Sequence, residues 1–156
     1  MKTPSYIQNI NEWKEKFTFQ VPVKVRFSET DAFGHVNNTN AFVYFEEARI
    51  EFFKHLGFMQ KWASDRHETM IVVADLQCDY IKQMKFDQKL SVAVHINQIG
   101  RSSLDLHYMV VDEDTEFCLT GRGTVVQISK NTGRSIPWDD EVKMVLEKEL
   151  DIEERR

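Results

Sequence analysis

Apolar residues in this chain change period twice. From Phe17 to Ser28 they alternate strictly with polar ones, Phe17, Phe19, Val21, Val23, Val25 and Phe27 on one side, Thr18, Gln20, Pro22, Lys24, Arg26 and Ser28 on the other. That is the pattern of a strand with one buried face, and Pro22, lacking an N–H for the ladder, suits an edge or irregular position. Between Thr39 and Leu56 the period lengthens: Ala41, Phe45, Ala48, Phe52 and Leu56 follow at intervals of four, three, four and four. This spacing predicts a helix closed by Gly57 at the C′ position. Phe42, Val43, Tyr44, Ile50 and Phe53 widen its apolar surface beyond one stripe, so the helix is expected to be central and wrapped by other structure.

Alternation then returns from Val72 to Tyr80, from Leu90 to Ile96, from Leu104 to Val110 and from Phe117 to Ile128. Four more strands are predicted, and the short polar breaks Asn97–Ser102 and Asp112–Thr115 favour antiparallel hairpins. Lys130–Arg134 reads as a turn, and Trp138–Leu150, after Pro137, as a closing amphipathic helix. Residues 1–16 read as an arm or short helix with Tyr6, Ile7, Ile10 and Trp13 on one stripe, and residues 17–156 as a single domain. A long apolar helix between one strand and four others buries its circumference only if the sheet curls around it. The expected class is therefore α+β, an antiparallel five-stranded sheet wrapped around a long central helix.

With 156 residues and 42% hydrophobic content the chain is sized for one core. No run approaches the apolar length of a membrane span, and no secretory pattern opens the sequence, so a cytoplasmic protein is expected. Cys78 and Cys118, the only cysteines, fall on predicted strands and read as buried free thiols. The net charge is −5, with the acidic excess after Trp138, while Phe117–Arg134 holds Arg122, Lys130 and Arg134 and no carboxylate. That stretch is expected to offer a local positive field to a small anion, whereas nucleic-acid binding would need far more basic charge.

No G-x-S-x-G elbow, P-loop or H-E-x-x-H occurs, and the five histidines show no metal-ligand spacing, so no metal site is expected. Chemistry is concentrated in Ser28–Asn38, which joins the first strand to the helix. Asp31 is its last charge, and Ala32–Phe45 is formally neutral. Asp31 and Gly34 suit positions i and i+3 of a type I turn, and Asn37, Asn38 or Thr39 could cap the helix. A purely structural role accounts for those features singly. Together they place a carboxylate beside a helix N-terminus, whose first N–H groups have no intrahelical partners and carry the positive end of the macrodipole. Such donors can hold the oxyanion formed when a carbonyl is attacked, and the acid can activate water or attack directly.

The stretch Asp31-Ala32-Phe33-Gly34-His35-Val36-Asn37-Asn38, followed by Phe45-Glu46-Glu47-Ala48-Arg49, closely resembles the hotdog-fold acyl-CoA thioesterases of the hydroxybenzoyl-CoA thioesterase type. The D-x-x-G-H-V-N-N and E-x-A-R pieces stand at the family spacing, and the likeness runs from about Phe19 to Pro137, over the same strand, helix, four-strand order. The resemblance implies hydrolysis of an acyl-CoA to free acid and CoA, with no separate cofactor. Asp31 would be the general base or nucleophile, and the backbone N–H near Asn38 would bind the thioester carbonyl, with Asn37 beside it among the substrate-binding residues. His35 would orient Asp31 or water, or serve as a packed structural histidine. Met70 and Ile71 would form the facing wall of the site, and Arg101, Ser102 and Ser103 would meet the phosphates or pantetheine. A solvated hairpin charge is the alternative for Arg101. Side-by-side homodimers, or tetramers built from them, are implied.

Two departures from the family are Ala41, where many relatives carry Tyr, and Asn38, where some carry His. Glu46 and Arg49 read as a structural pair, with Glu46 or Glu47 as reserve catalytic acids. Acyl carrier protein is an alternative thioester donor, since it presents the same pantetheine. A hotdog hydratase is disfavoured because His35 follows Asp31 by four residues rather than five. A non-catalytic acyl-thioester binding module is the remaining alternative.

Overall fold

The computed structural model describes residues 2–154. An arm containing helix α1 (Ile10–Glu15) leads into β1 (Phe19–Lys24), a 3-10 turn at Phe27–Glu29 and the long helix α2 (Asn40–His55). A short helix α3 (Met59–Ala63) precedes β2 (Thr69–Tyr80), β3 (Lys89–Ile99), β4 (Ser103–Val111) and β5 (Phe117–Ser129), and α4 (Asp140–Glu154) closes the described chain. The strands form one antiparallel sheet in the order β1-β3-β4-β5-β2. This is the expected α+β architecture, five strands curled over a long helix.

The inner face of the sheet follows the alternation residue by residue. Leu90, Val92, Val94 and Ile96 of β3 and Leu104, Leu106, Tyr108 and Val110 of β4 are all buried against Ala41, Phe45, Ala48 and Phe52 of α2. Phe45 stacks on Tyr108 with centroids 4.6 Å apart and planes 14° from parallel. Arg49 reaches the same tyrosine, its Nη1 donating to the hydroxyl at 3.1 Å, and lies 3.9 Å from Glu46. Gly57 ends the helix at φ +84°, a conformation in which a side chain would be strained.

Several expectations are corrected. The sheet wraps α2 as expected, but its full apolar circumference is not buried: Val43 and Ile50 remain exposed. The first strand ends at Lys24, so Phe27 sits in the 3-10 turn, 75% exposed and edge-on to Phe86. Phe17 precedes β1 and joins a second apolar cluster with Ile7, Trp13, Ala93, Met109 and Val111, on the opposite side of the sheet from α2. Helix α3, which buries Trp62, has no counterpart in the sequence pattern, and α4 starts two residues later and runs further than the amphipathic stretch. Cys78 and Cys118 are free thiols, as read from the strands, with Cys118 fully buried and Cys78 partly so. No helix among the described residues is long and apolar enough to cross a membrane.

Candidate active site

The loop between β1 and α2 is tied down at both ends. Glu29, only 5% exposed, accepts from the Arg26 N–H at 2.8 Å and from the Tyr44 hydroxyl at 3.1 Å. Its backbone carbonyl accepts from the Asn37 N–H at 2.8 Å, and the Val36 N–H donates to the Met84 carbonyl at 2.8 Å. Burial and the neighbouring Glu29 carboxylate push the Tyr44 phenol upward, so it stays a neutral donor.

Within that frame the chain turns at Asp31. The Gly34 N–H donates to the Asp31 carbonyl at 3.1 Å, closing the expected turn, and Gly34 takes φ +81°. The Asp31 N–H donates to the His35 carbonyl at 2.8 Å. The Asp31 carboxylate accepts through Oδ1 from the Phe33 and His35 N–H groups, at 2.9 and 3.4 Å. One carboxylate oxygen is thus engaged by the backbone, and the side chain faces a cleft of about 470 Å³. His35, Asn37 and Asn38 line the same cleft, joined by Tyr80 at the end of β2 and Lys82 just after it.

The helix start differs from the bare picture of four free amides. The Asn40 and Ala41 N–H groups donate to the Asn37 and Asn38 carbonyls at 2.9 and 3.4 Å, and the Thr39 N–H to Asn37 Oδ1 at 3.1 Å. A turn placed directly before the helix engages the first two of them and the Thr39 N–H, and Thr39, at the cap position, makes no side-chain capping bond. Among the described residues the Asn38 N–H has no acceptor, and Asn38 lines the cleft.

The other sequence-predicted residues lie elsewhere in the chain. Met70 and Ile71 start β2, opposite Ile128 and Gln127, whereas Tyr80 at its far end faces Leu119. Ten strand residues separate those ends by about 30 Å. Met70 and Ile71 line a different groove of about 340 Å³ beside Arg49 and Trp62. Arg101, Ser102 and Ser103 form the β3–β4 hairpin at that same remote end, where Ser103 pairs with Val126 and Val126 with Val72. Arg101 borders a hollow beneath α4 with Trp138 and Lys143.

Arg122 corrects the expected positive field. Asp105 and Asp75, on the flanking strands, hold its guanidinium at 2.6 and 3.0 Å. Cross-strand neighbours distant in sequence therefore neutralise the charge. Burial pushes the Cys78 and Cys118 thiols up to about 12 and about 11, so neither is a thiolate nucleophile near neutrality. Sequence reasoning missed Tyr80 and Lys82; the only trace of Tyr80 was its place at the end of an alternating run. Lys82 is paired with Asp112 at 2.8 Å and with Glu116.

The profile of the Thioesterase-like superfamily matches residues 25–146, most of the chain and all of this cleft. The chain belongs to that superfamily. It is 46% identical over 147 residues to the uncharacterized protein YsmA of Bacillus subtilis, covering 94% of this chain and 97% of the relative. It is 32% identical over 86 residues to the acyl-CoA thioesterase YbgC of Haemophilus influenzae, covering 55% and 63% of the two chains. Among solved structures, a predicted thioesterase from Bacillus stearothermophilus superposes with a TM-score of 0.75 at 33% identity, over 84% of this chain and 95% of that one.

Proposed function

We propose that this thioester hydrolase cleaves acyl-CoA to a free acid and CoA at the Asp31 cleft. The observation that carries the reading is that Asp31 and Asn38, whose N–H has no acceptor, line one cleft. In this scheme a water adds to the thioester carbon while Asp31 accepts its proton, and the carbonyl oxygen becomes an oxyanion held by the Asn38 N–H. Collapse breaks the C–S bond, and the departing thiolate of CoA takes up a proton. Attack by Asp31 itself, through an anhydride that water then opens, uses the same two groups. His35, on the same wall, orients the acid or the water.

Two copies complete the site in this reading. Strand β2 is a sheet edge, paired only with β5. Antiparallel pairing of two such edges about a twofold axis sets the Met70–Ile71 end of one copy against the Tyr80 end of the other. The partner's hairpin then offers the Arg101–Ser103 segment to the phosphates or pantetheine.

The test is thiol release from short, medium, long and aromatic acyl-CoAs, with acyl carrier protein thioesters as a second arm. Wild-type protein is expected to hydrolyse at least one acyl-CoA, and Asp31→Asn to lower its kcat by roughly 10²–10⁴ with folding unchanged. Undiminished activity in Asp31→Asn removes that residue from the chemistry. Turnover of the carrier-protein thioesters alone reassigns the donor.

A further inference from the structure

Asn38 lies in the turn before α2, and the direction of its N–H depends on what holds the peptide groups on either side. Upstream, the Asn37 N–H donates to the Glu29 carbonyl at 2.8 Å, and the Asn37 carbonyl accepts from Asn40 at 2.9 Å. Downstream, the Asn38 carbonyl accepts from the Ala41 N–H at 3.4 Å, near the limit of useful bonding. It also accepts from the Tyr80 hydroxyl at 2.6 Å. The Thr39 N–H of the same Asn38–Thr39 peptide donates to Asn37 Oδ1 at 3.1 Å, so the shortest bond on that peptide comes from a side chain 42 residues away. Tyr80 stands on firm ground, since it closes β2 opposite Leu119, and the next two N–H groups, Ile81 and Lys82, share the Cys118 carbonyl at 3.0 and 3.1 Å. The residue is 54% exposed and borders the cleft.

We propose that Tyr80 is a positioning residue of this site, its hydroxyl fixing the Asn38 carbonyl so that the Asn38 N–H is aimed at the substrate carbonyl oxygen. The proposal rests on the acyl-CoA reading above. An amide stabilises a developing oxyanion only when it is oriented before the charge appears, and small misplacements of such donors are costly. Removing the hydroxyl leaves the ring in place and takes the short bond off the Asn38–Thr39 peptide, which keeps only the Ala41 N–H at 3.4 Å and the bond from the Thr39 N–H to Asn37 Oδ1 at 3.1 Å. The adjoining Asn37–Asn38 peptide, which carries the Asn38 N–H, keeps its Asn40 bond but loses the fixed neighbour that sets its direction. Ground-state binding, which depends on the CoA portion and the cleft walls, then persists while transition-state stabilisation falls.

Tyr80→Phe is the test, assayed on the acyl-CoA that wild-type protein turns over fastest. The expected result is a kcat lower by about tenfold with KM within about twofold, and an unchanged thermal midpoint. A second readout is the infrared carbonyl stretch of a bound, inert ketone analogue in which a methylene replaces the thioester sulfur. It is expected to be red-shifted on the wild-type protein and to move back toward its free frequency on Tyr80→Phe. Unchanged kcat and carbonyl frequency in the variant, beside an active wild type, overturn the role of Tyr80 and leave the thioesterase reading standing. A loss of kcat that comes with a lowered thermal midpoint and an unmoved carbonyl frequency also overturns it, in favour of simple packing. Failure of wild-type protein on every acyl-CoA overturns both.

Discussion

Trp13 donates from Nε1 to Nδ1 of His107 at 2.9 Å, across 94 residues of sequence. The bond fastens the N-terminal arm to the face of the sheet turned away from α2. His107 packs edge-on to Tyr6 and to His95, at 5.1 and 5.2 Å, so the arm lies over a buried patch that is partly polar. Because Nδ1 accepts, the neutral ring carries its proton on Nε2, which lies 3.3 Å from Asp105.

Trp13→Phe keeps an aromatic ring in the arm but leaves His107 Nδ1 buried without its donor. The expected loss is about 1–3 kcal/mol of stability, read from urea unfolding. An unchanged midpoint would mean that the arm does not unfold with the rest of the domain.

Stability is expected to fall on acidification in two stages. Burial, the largest influence on His107, holds its pKa below the ordinary histidine value despite Asp105, so the stability it lends is lost as pH drops through that range. Burial opposes ionisation of Asp105, but hydrogen bonds from His107, Arg122 and Asn97 overcome it and hold the carboxyl at about 2. Its contribution is present above the ordinary carboxylate pKa and disappears toward its folded value. Glu153 acts with the opposite sign. Burial raises its pKa, so its contribution is present at low pH and lost as pH rises through the folded value. Urea midpoints followed from about pH 3 to pH 7 should rise overall, with a shallower acid limb in Asp105→Asn and a steeper rise in Glu153→Gln.

Gly121 is where β5 lets Phe45 approach the sheet. A Cβ there would overlap Phe45 Cε2 and stand 2.9 Å from the Gln77 carbonyl oxygen. Gly121→Ala is therefore expected to cost about 1–3 kcal/mol through forced repacking of Phe45 against Tyr108. Thermal unfolding measures it, and a neutral substitution would show that the stack has slack.

The proposed two-copy site predicts complementation between inactive proteins. Asp31→Asn and Ile71→Trp, each impaired as a homodimer, should recover activity after mixed refolding. At equal amounts about a quarter of wild-type activity is expected, since half the dimers are mixed and each has one intact site of two. No recovery from verified mixed dimers would overturn the two-copy site.

Local pattern determined much of this protein. The alternation of β3 and β4, the period of α2, the glycine at its end and the Asp31–Gly34 turn are written in neighbouring residues, because strand pleat, helix pitch and turn geometry are short-range properties. The D-x-x-G-H-V-N-N stretch likewise marked Asp31, His35, Asn37 and Asn38, which the structure brings to one cleft. What the sequence could not decide depends on residues that meet only after the strands are paired. The pairing of β5 between β2 and β4 set the carboxylates of Asp75 and Asp105 on Arg122, and the lengths of β2 and of the β3–β4 hairpin carried Met70, Ile71 and Arg101 away from Asp31. The same pairing also brought the Tyr80 hydroxyl to Asn38. Strand order is settled by burial summed over the whole sheet, and no window of neighbouring residues contains that sum.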